Sequence, residues 1–194
     1  MPKRIKTTVL MGDGSLLIEC ATQLIQREHS IKAIISISAG AWARENGIPV
    51  LDPNSDFRQA LSDVEYDWFF SIANLRKVPG EVWRKAFQGA ANFHDGPLPR
   101  YAGVNTPAWA ILNGETEYGI TWHRLTDGID TGDVLLREPV AISDDDSALV
   151  LNTKCFEAGI VSFGRLVTQI EEGTLEGCPQ DSSGRKFYRS VSAS

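Results

Sequence analysis

This sequence predicts an α/β fold built on a doubly wound, mostly parallel sheet, and three observations carry the prediction. Over the first 94 residues, β-branched and aromatic runs alternate with segments of helical period, the pattern of repeated βαβ units. Glycines and prolines mark the joints between them, at Gly12, Gly14, Gly47, Pro79 and Gly89. A chain of 194 residues with 42% apolar composition is also long enough to bury the core that one such domain needs.

The elements follow in order. "TTVLMGDGSLLIECATQLIQREHS" reads as a strand, a glycine turn and a helix. Ser15 is the expected N-cap, with Leu16, Leu17, Cys20, Leu24 and Ile25 at helical spacing. "IKAIISIS" is the second strand, rich in β-branched residues. "AWARENGIPVL" reads as a short helix stopped by Gly47, then a strand. "DFRQALSD" is read as helical and "EYDWFFSIA" as a hydrophobic strand. "PGEVWRKAFQG" has proline in its first turn and glycine at its end, the asymmetry of a short helix, and "AANFH" is the next strand.

Beyond residue 94 the pattern changes. "VNTPAWAILNGE" predicts a helix ending near Gly114, while "YGITWHRL" and "GDVLLREPVAI" form a hairpin-like extension joined by "TDGIDT". "DDDSALVLNTKCFEAGIVSFGRLVTQIEEG" reads as one long amphipathic helix with an acidic N-terminus, which suits the macrodipole. Residues from about 178 to 194 are polar and lack apolar periodicity, so they are read as a loose tail or linker. The whole chain, 1–194, is expected to be one domain.

Composition narrows the function. The net charge of −6 offers no global basic surface for a phosphate backbone, so no nucleic-acid partner is expected. Cys20, Cys155 and Cys178 make no C-x-x-C pair and no metal spacing, which predicts reduced thiols in the cytoplasm. No run of 18 apolar residues exists, so no membrane partner is expected.

The chemical candidates are few. Gly12, Asp13, Gly14 and Ser15 lie between a strand and a helix, but the full G-x-G-x-x-G is absent and Asp13 repels phosphate. They are expected to make the turn or shape a rim. "NFHDGPLP" is more pointed. Asn92 and His94 stand two apart at the carboxyl end of a strand, so both side chains leave one face where open α/β sheets place ligands. "LTDGIDTGDVL" supplies a carboxylate to orient or charge the imidazole, with Asp127, Asp130 and Asp133 all available by spacing. His29 is expected to close the first helix, where a cation suits the dipole. His123 shares a strand face with Thr121 and is weighed mainly as a bystander. Trp42, Trp68, Trp83 and Trp109 are assigned to the core, and Trp122 to the lining of a cleft.

With these residues together, "NFHDGPLPRYAGVNTPAWAILNGETEYGITWHRLTDGIDTGDVL" resembles the formyltransferase family that uses 10-formyltetrahydrofolate. That family carries N-x-H, a leucine-proline loop and a D-x-G loop, and the resemblance covers most of residues 5–172. It implies a Rossmann-like formyltransferase fold and an N-formyltransferase activity without a metal. Its catalytic Asn, His and Asp match Asn92, His94 and Asp130, the last lying at the family's usual interval of 38 positions after Asn92. The resemblance implies that Asn92 donates to the formyl oxygen, that His94 stabilises charge or shuttles a proton, and that Asp130 favours charged His94 and helps to take the amine's proton. The pterin would rest on two loops, Leu75, Arg76, Lys77 and Val78, and Thr126, Asp127, Gly128 and Ile129, with Arg76 or Lys77 meeting the folate's glutamate tail. The acceptor would be met by Gly12, Asp13, Gly14, Ser15, Tyr101, Gly103 and Asn105. One departure stands out: the family's loop serine is Gly96 here.

The acceptor implied first is an aminoacyl group on a carrier protein of a nonribosomal peptide synthetase, with the polar tail as the start of a linker. A nucleotide-linked amino sugar is the alternative. Glycinamide ribonucleotide comes behind it, because that branch usually has Asn where this chain has Asp13. Methionyl-tRNA is set aside, since its enzymes carry a further C-terminal domain for which 194 residues leave no room. Outside the enzymes, a noncatalytic binding module on the same fold is the remaining reading.

Overall fold

The structure, a computed structural model, describes residues 7–190. The chain forms two compact units, the first from residues up to 92 together with 163–175, the second from 93–162 together with residues from 176 on.

In the first unit, β1 (Thr7–Gly12), β2 (Ser30–Ile35), β3 (Val50–Leu51), β4 (Trp68–Ile72) and the start of β5 (Gly89–His94) lie in the order β3-β2-β1-β4-β5. Every neighbouring pair is parallel. Parallel pairing demands crossovers, and α1 (Gly14–Gln26), α2 (Gly40–Glu45), α3 (Phe57–Ala60) and α4 (Gly80–Trp83) fall within them. Val9, Leu10, Phe69 and Phe70 are fully buried on successive positions, as strands covered on both faces require. The order reverses between β1 and β4, the topological switch point where doubly wound sheets bind ligands. Gly12 and Ile72 are register partners there.

Two helices seal this unit. Leu16, Leu17, Cys20, Ala21 and Leu24 form the buried stripe of α1. Phe163, Leu166, Val167 and Ile170 form that of the second half of α6 (Ala148–Glu172), with Phe163 edge-on to Phe70 at 5.2 Å. Each Leu, Ile, Val or Phe among them contributes about 1.5–3 kcal/mol on burial. Arg27 ties the helices through Glu171 at 2.9 Å and the Gly164 carbonyl at 3.0 Å.

Several expectations are corrected here. Ser15 lies inside α1; Asp13 holds the cap position with extended backbone and no side-chain cap bond, because its carboxylate is engaged elsewhere. The helix read over residues 79–89 lasts only from Gly80 to Trp83. The Phe87 and Gln88 N–H groups bond to the Tyr66 and Asp67 carbonyls, drawing the segment toward strand pairing. The helix read over 56–63 likewise shrinks to Phe57–Ala60. His29 lies beyond α1, buried, with Nε2 2.6 Å from Glu171, so a carboxylate rather than a helix dipole is its partner.

In the second unit, β7 (Glu117–Arg124) and β8 (Val134–Ala141) make the expected antiparallel hairpin. α5 (Thr106–Leu112) precedes it, and β6 (Ala102–Gly103) pairs with β9 (Phe187–Tyr188). α6 begins at Ala148, so the three aspartates precede it, and Asp146 instead pairs with Lys154 at 2.5 Å. Trp122 is fully buried, edge-on to Phe93, and donates to Ser162 Oγ at 2.9 Å. It is a core residue, not the lining of a cleft. Of the tryptophans assigned to the core, Trp68 is buried, while Trp42, Trp83 and Trp109 are half-buried. The segment from residue 176, read as a loose tail, is tied down: Cys178 bridges to Val134, and a 3-10 turn at Ser182–Gly184 leads into β9. Residues 191–194 of that reading lie outside the described residues. No described helix is long and apolar enough to cross a membrane.

Candidate functional site

In the first unit, the predicted residues gather at the carboxyl ends of β1, β4 and β5. Asn92, half-buried, is the register partner of Ser71. Ser71 Oγ accepts from Asn74 Nδ2 at 3.1 Å, and the same Asn74 amide staples the next loop by bonding both the N–H and the carbonyl of Arg76. Leu75, Arg76 and Lys77 are exposed, Leu75 by 89%, and Val78 is buried as their anchor. The loop therefore presents backbone and flexible cations on a pinned base. Asn74 is a residue the sequence reading missed.

The turn after β1 is equally pinned. Asp13 Oδ1 accepts from the Ser36 hydroxyl, the Ile37 and Ser38 N–H groups and the Ser38 hydroxyl, at 2.8–3.0 Å. Burial pushes this carboxyl up, but the Ser38 N–H and the other donors outweigh it and hold the pKa below its ordinary value. Gly14 N–H is taken by Ser38 Oγ. Asp13 thus holds the turn as an anion, while Gly14 and Ser15 stay exposed.

The second unit holds the titratable cluster. His94, at the end of β5, has Nε2 against the Tyr101 carbonyl. A carbonyl only accepts, so Nε2 carries the proton in that bond. Nδ1 then faces Asp130 Oδ2 at 3.8 Å and Asp95 Oδ1 at 3.9 Å. These distances are too long for direct hydrogen bonds, and they leave room for a third polar partner. Asp130 has a second imidazole on its other oxygen, His123 Nε2 at 3.4 Å from Oδ1, and its Oδ2 accepts from Gly103 N–H at 2.8 Å.

His123 reaches that place by a register shift. Trp122 pairs with Leu136 but His123 with Val134, an irregularity that re-aims the strand end. Its Nδ1 donates to the Arg124 carbonyl at 2.9 Å, which turns Nε2 toward Asp130. The sequence reading undervalued this residue, although its place on the face of Thr121 was the signal available.

Asp130 resolves the choice among the three aspartates of the loop by position: it alone is buried, whereas Asp127 is exposed and Asp133 half-buried. Its backbone is left-handed, φ 51°, a conformation Asp tolerates better than most residues. Burial pushes the carboxyl up, yet the hydrogen bond with His123, the charge of His94 and the Gly103 N–H together hold it at about 2, below the ordinary 3.8. The folded-state pKa is depressed, so the stabilisation is present above about pH 4 and is lost as pH falls toward 2. At 1.36 kcal/mol per unit it amounts to about 2 kcal/mol. Urea unfolding of the parent and of Asp130→Asn from pH 6 to 2 should show a stability gap that closes over that window; parallel curves would contradict the depressed carboxyl.

Tyr101, Gly103 and Asn105 differ in their commitments. Tyr101 is buried, stacked on Tyr188 at 4.8 Å, with its hydroxyl on Glu115 at 2.7 Å. Gly103 is buried beside Tyr188. Both belong to the frame that holds His94 and Asp130, through the Tyr101 carbonyl and the Gly103 N–H. Asn105 is exposed, as are Thr126, Asp127, Gly128 and Ile129, the last by 60%. Among the described residues no group of His, Cys, Asp and Glu has the arrangement of a metal site.

Residues 37–163 match the family described as formyl transferase. A methionyl-tRNA formyltransferase of Caldanaerobacter subterraneus is 34% identical over 138 residues, 69% of this chain and 45% of the relative. A GDP-perosamine N-formyltransferase of Brucella melitensis is 28% identical over 62% of this chain and 46% of the relative. Among solved structures, the N-formyltransferase of Helicobacter canadensis, in complex with folinic acid and dTDP-3-aminofucose, aligns with a TM-score of 0.80 at 23% identity, over 95% of this chain and 71% of that one. The mostly parallel α/β fold expected from the sequence is therefore the fold found. The chain spans about half the length of the first of these relatives, so the length argument that set methionyl-tRNA enzymes aside does not hold.

Proposed function

From the premise that the chain belongs to the formyl transferase family, we propose that its site moves a formyl group from 10-formyltetrahydrofolate to a primary amine. The observation that carries this reading is the buried Asp130 carboxylate between two imidazoles, with His94 two residues from Asn92 on one strand face. A buried carboxylate flanked by two imidazoles at a strand's carboxyl end suits a site that stabilises charge and moves a proton.

The amine nitrogen attacks the formyl carbon, and the carbonyl electron pair moves to oxygen. The Asn92 amide donates to that oxyanion, and the His94 imidazole, whose Nδ1 faces the Asp130 and Asp95 carboxylates at 3.8 and 3.9 Å, stabilises the developing charge or shuttles a proton. Asp130 stays ionised at neutral pH, because its carboxyl is held at about 2. Its charge faces His94 Nδ1 at 3.8 Å, and it receives the amine's proton, directly or through one water. Collapse re-forms the carbonyl and breaks the bond from the formyl carbon to the folate nitrogen, which takes up the proton that Asp130 received, relayed through His94 or water. Donor contacts are assigned to the loop backbone at 75–78, anchored by buried Val78, and to the exposed loop at 126–129, with Ile129 offering an apolar surface to a flat ring. Asn74 supports the first of these loops by holding Arg76.

For the acceptor, a nucleotide-linked amino sugar comes ahead of an aminoacyl group on a carrier protein. The Brucella melitensis relative is named for a GDP-linked amino sugar, and the Helicobacter canadensis enzyme was solved with a dTDP-linked one. None of the relatives named above points to a carrier protein. The net charge of −6 weighs against a tRNA acceptor for this part of the molecule. The test is incubation with 10-formyltetrahydrofolate and, at equal concentration, an amino sugar nucleotide, glycinamide ribonucleotide, methionyl-tRNA and an aminoacyl carrier protein. Mass spectrometry should record the gain of one formyl group on the amino sugar. Formylation of the loaded carrier alone would reverse the order of acceptors, and no formylated product at all would end the reading.

Asn92→Ala separates transition-state from ground-state contact. Losing one oxyanion donor should lower kcat about 10²–10³-fold, with donor affinity by equilibrium titration changed less than about threefold. A matched loss of affinity with unchanged turnover would move Asn92 from the oxyanion to ground-state binding.

A further inference from the structure

The segment after α6 carries two side chains aimed at the backbone around Asp130. Arg185 Nη1 donates to the Asp130 carbonyl at 3.1 Å and Nη2 to the Ile129 carbonyl at 2.8 Å. Gln180 Nε2 donates to the same Asp130 carbonyl at 3.1 Å and to that of Gly132 at 2.6 Å. Three carbonyls of one short loop are thus satisfied by two residues some fifty positions later. They flank a residue whose backbone is left-handed. Gln180 Oε1 is buried with no hydrogen-bond partner among the described residues, so the amide is oriented by its donor side alone.

The same segment also reaches the partners of the Asp130 carboxylate and of the His94 imidazole. β9 lies against β6, and a Cβ on Gly103, whose φ is 104°, would sit 2.0 Å from the Tyr188 carbonyl. Only glycine permits that approach, and Gly103 N–H is the donor to Asp130 Oδ2. Tyr188 stacks on Tyr101, whose carbonyl receives His94 Nε2, and the Arg189 carbonyl accepts from Trp109 Nε1. Contacts from one segment therefore bear on Asp130 from two sides and on His94 through Tyr101.

We infer that Gln180 and Arg185 are positioning residues for the transfer reaction, holding the 129–132 backbone so that the Asp130 carboxylate stays aimed between His94 and His123. This rests on the formyl-transfer reading. The guanidinium matters for its shape: its rigid planar fork meets two successive carbonyls at once, where a lysine at 185 offers one rotatable ammonium on a shorter side chain. A misplacement near 1 Å costs about 10²-fold in rate, and loosening this brace permits one.

The experiment uses the full chain with Arg185→Lys, Arg185→Met and Gln180→Met. Each variant should lose about tenfold or more in kcat, with acceptor KM within about threefold of the parent. Arg185→Lys should do no better than Arg185→Met. Hydrogen exchange without substrate should show faster exchange at the amides of residues 129–133 in all three, with those of β1 and β4 unchanged. Parental kcat in Arg185→Lys, or parental loop protection in Gln180→Met, would overturn the inference. Should Arg185→Met fail to fold, Gln180→Met carries the same two readouts. An inactive parent would count against formyl transfer itself, while the exchange measurement would still decide whether the brace exists.

Discussion

His94→Ala and Asp130→Asn should each lower kcat for formyl transfer by about 10²–10⁴, the range a positioned acid–base group supplies. Asp130→Asn is the sharper of the two, because it keeps the shape of the side chain and can keep the bond from Gly103 N–H. What it removes is the negative charge between His94 at 3.8 Å and His123 at 3.4 Å. His94→Ala removes the imidazole that the proposed mechanism sets between that charge and the reacting centre. If the two act as one unit, the double variant should be little worse than either single one. Thermal unfolding at pH 7 should report folded proteins in every case, with Asp130→Asn somewhat less stable than the parent. Turnover within about threefold of the parent in Asp130→Asn would remove the carboxylate from the mechanism.

The parts of this arrangement that were legible in the sequence are those set by local periodicity. Alternating apolar runs and helical stripes placed β1 to β5 and the helices between them, and the two-residue period put Asn92 and His94 on one face. What stayed hidden depends on contacts between distant residues. Nothing in "PGEVWRKAFQG" announces that the Phe87 and Gln88 N–H groups will bond to Tyr66 and Asp67, so its helix was read too long. His123 looked like a bystander because a register shift beside Trp122, invisible in one strand alone, aims it at Asp130. The segment after residue 176 is polar and aperiodic, and such segments are usually loose. Its order comes from hydrogen bonds to carbonyls of a loop about fifty residues earlier, from the pairings of Cys178 with Val134 and of β9 with β6, and from an aromatic stack, none of which leaves a pattern in composition.

Gly96→Ser should impair this protein, although serine is what the resembled family usually carries in that loop. A Cβ at residue 96 would lie 2.7 Å from the Tyr101 carbonyl oxygen, 2.9 Å from His94 Nε2 and 3.0 Å from Thr106 Oγ1. The first two of those atoms are the partners of one hydrogen bond, so the intruding carbon presses on the bond that orients the imidazole. Retreat is blocked on several sides. The Gly96 carbonyl accepts from Thr121 Oγ1 at 2.8 Å, and that hydroxyl in turn accepts from Leu98 N–H at 3.1 Å. Thr106 Oγ1 is held by the Asp95 carbonyl and carboxylate at 3.0–3.1 Å. Inserting even one carbon into packing of this kind costs about 1–3 kcal/mol, and displacing His94 by a fraction of an ångström to one ångström should cost up to about 10²-fold in kcat. Gly96→Ala isolates the steric part, since it adds the Cβ without a hydroxyl. Both variants should therefore lose stability by similar amounts in urea unfolding and lose turnover together, with the serine gaining nothing from its hydroxyl. Parental stability and turnover in Gly96→Ser would mean that the loop gives way freely, and the close approach of Gly96 to His94 would lose its role in setting the imidazole.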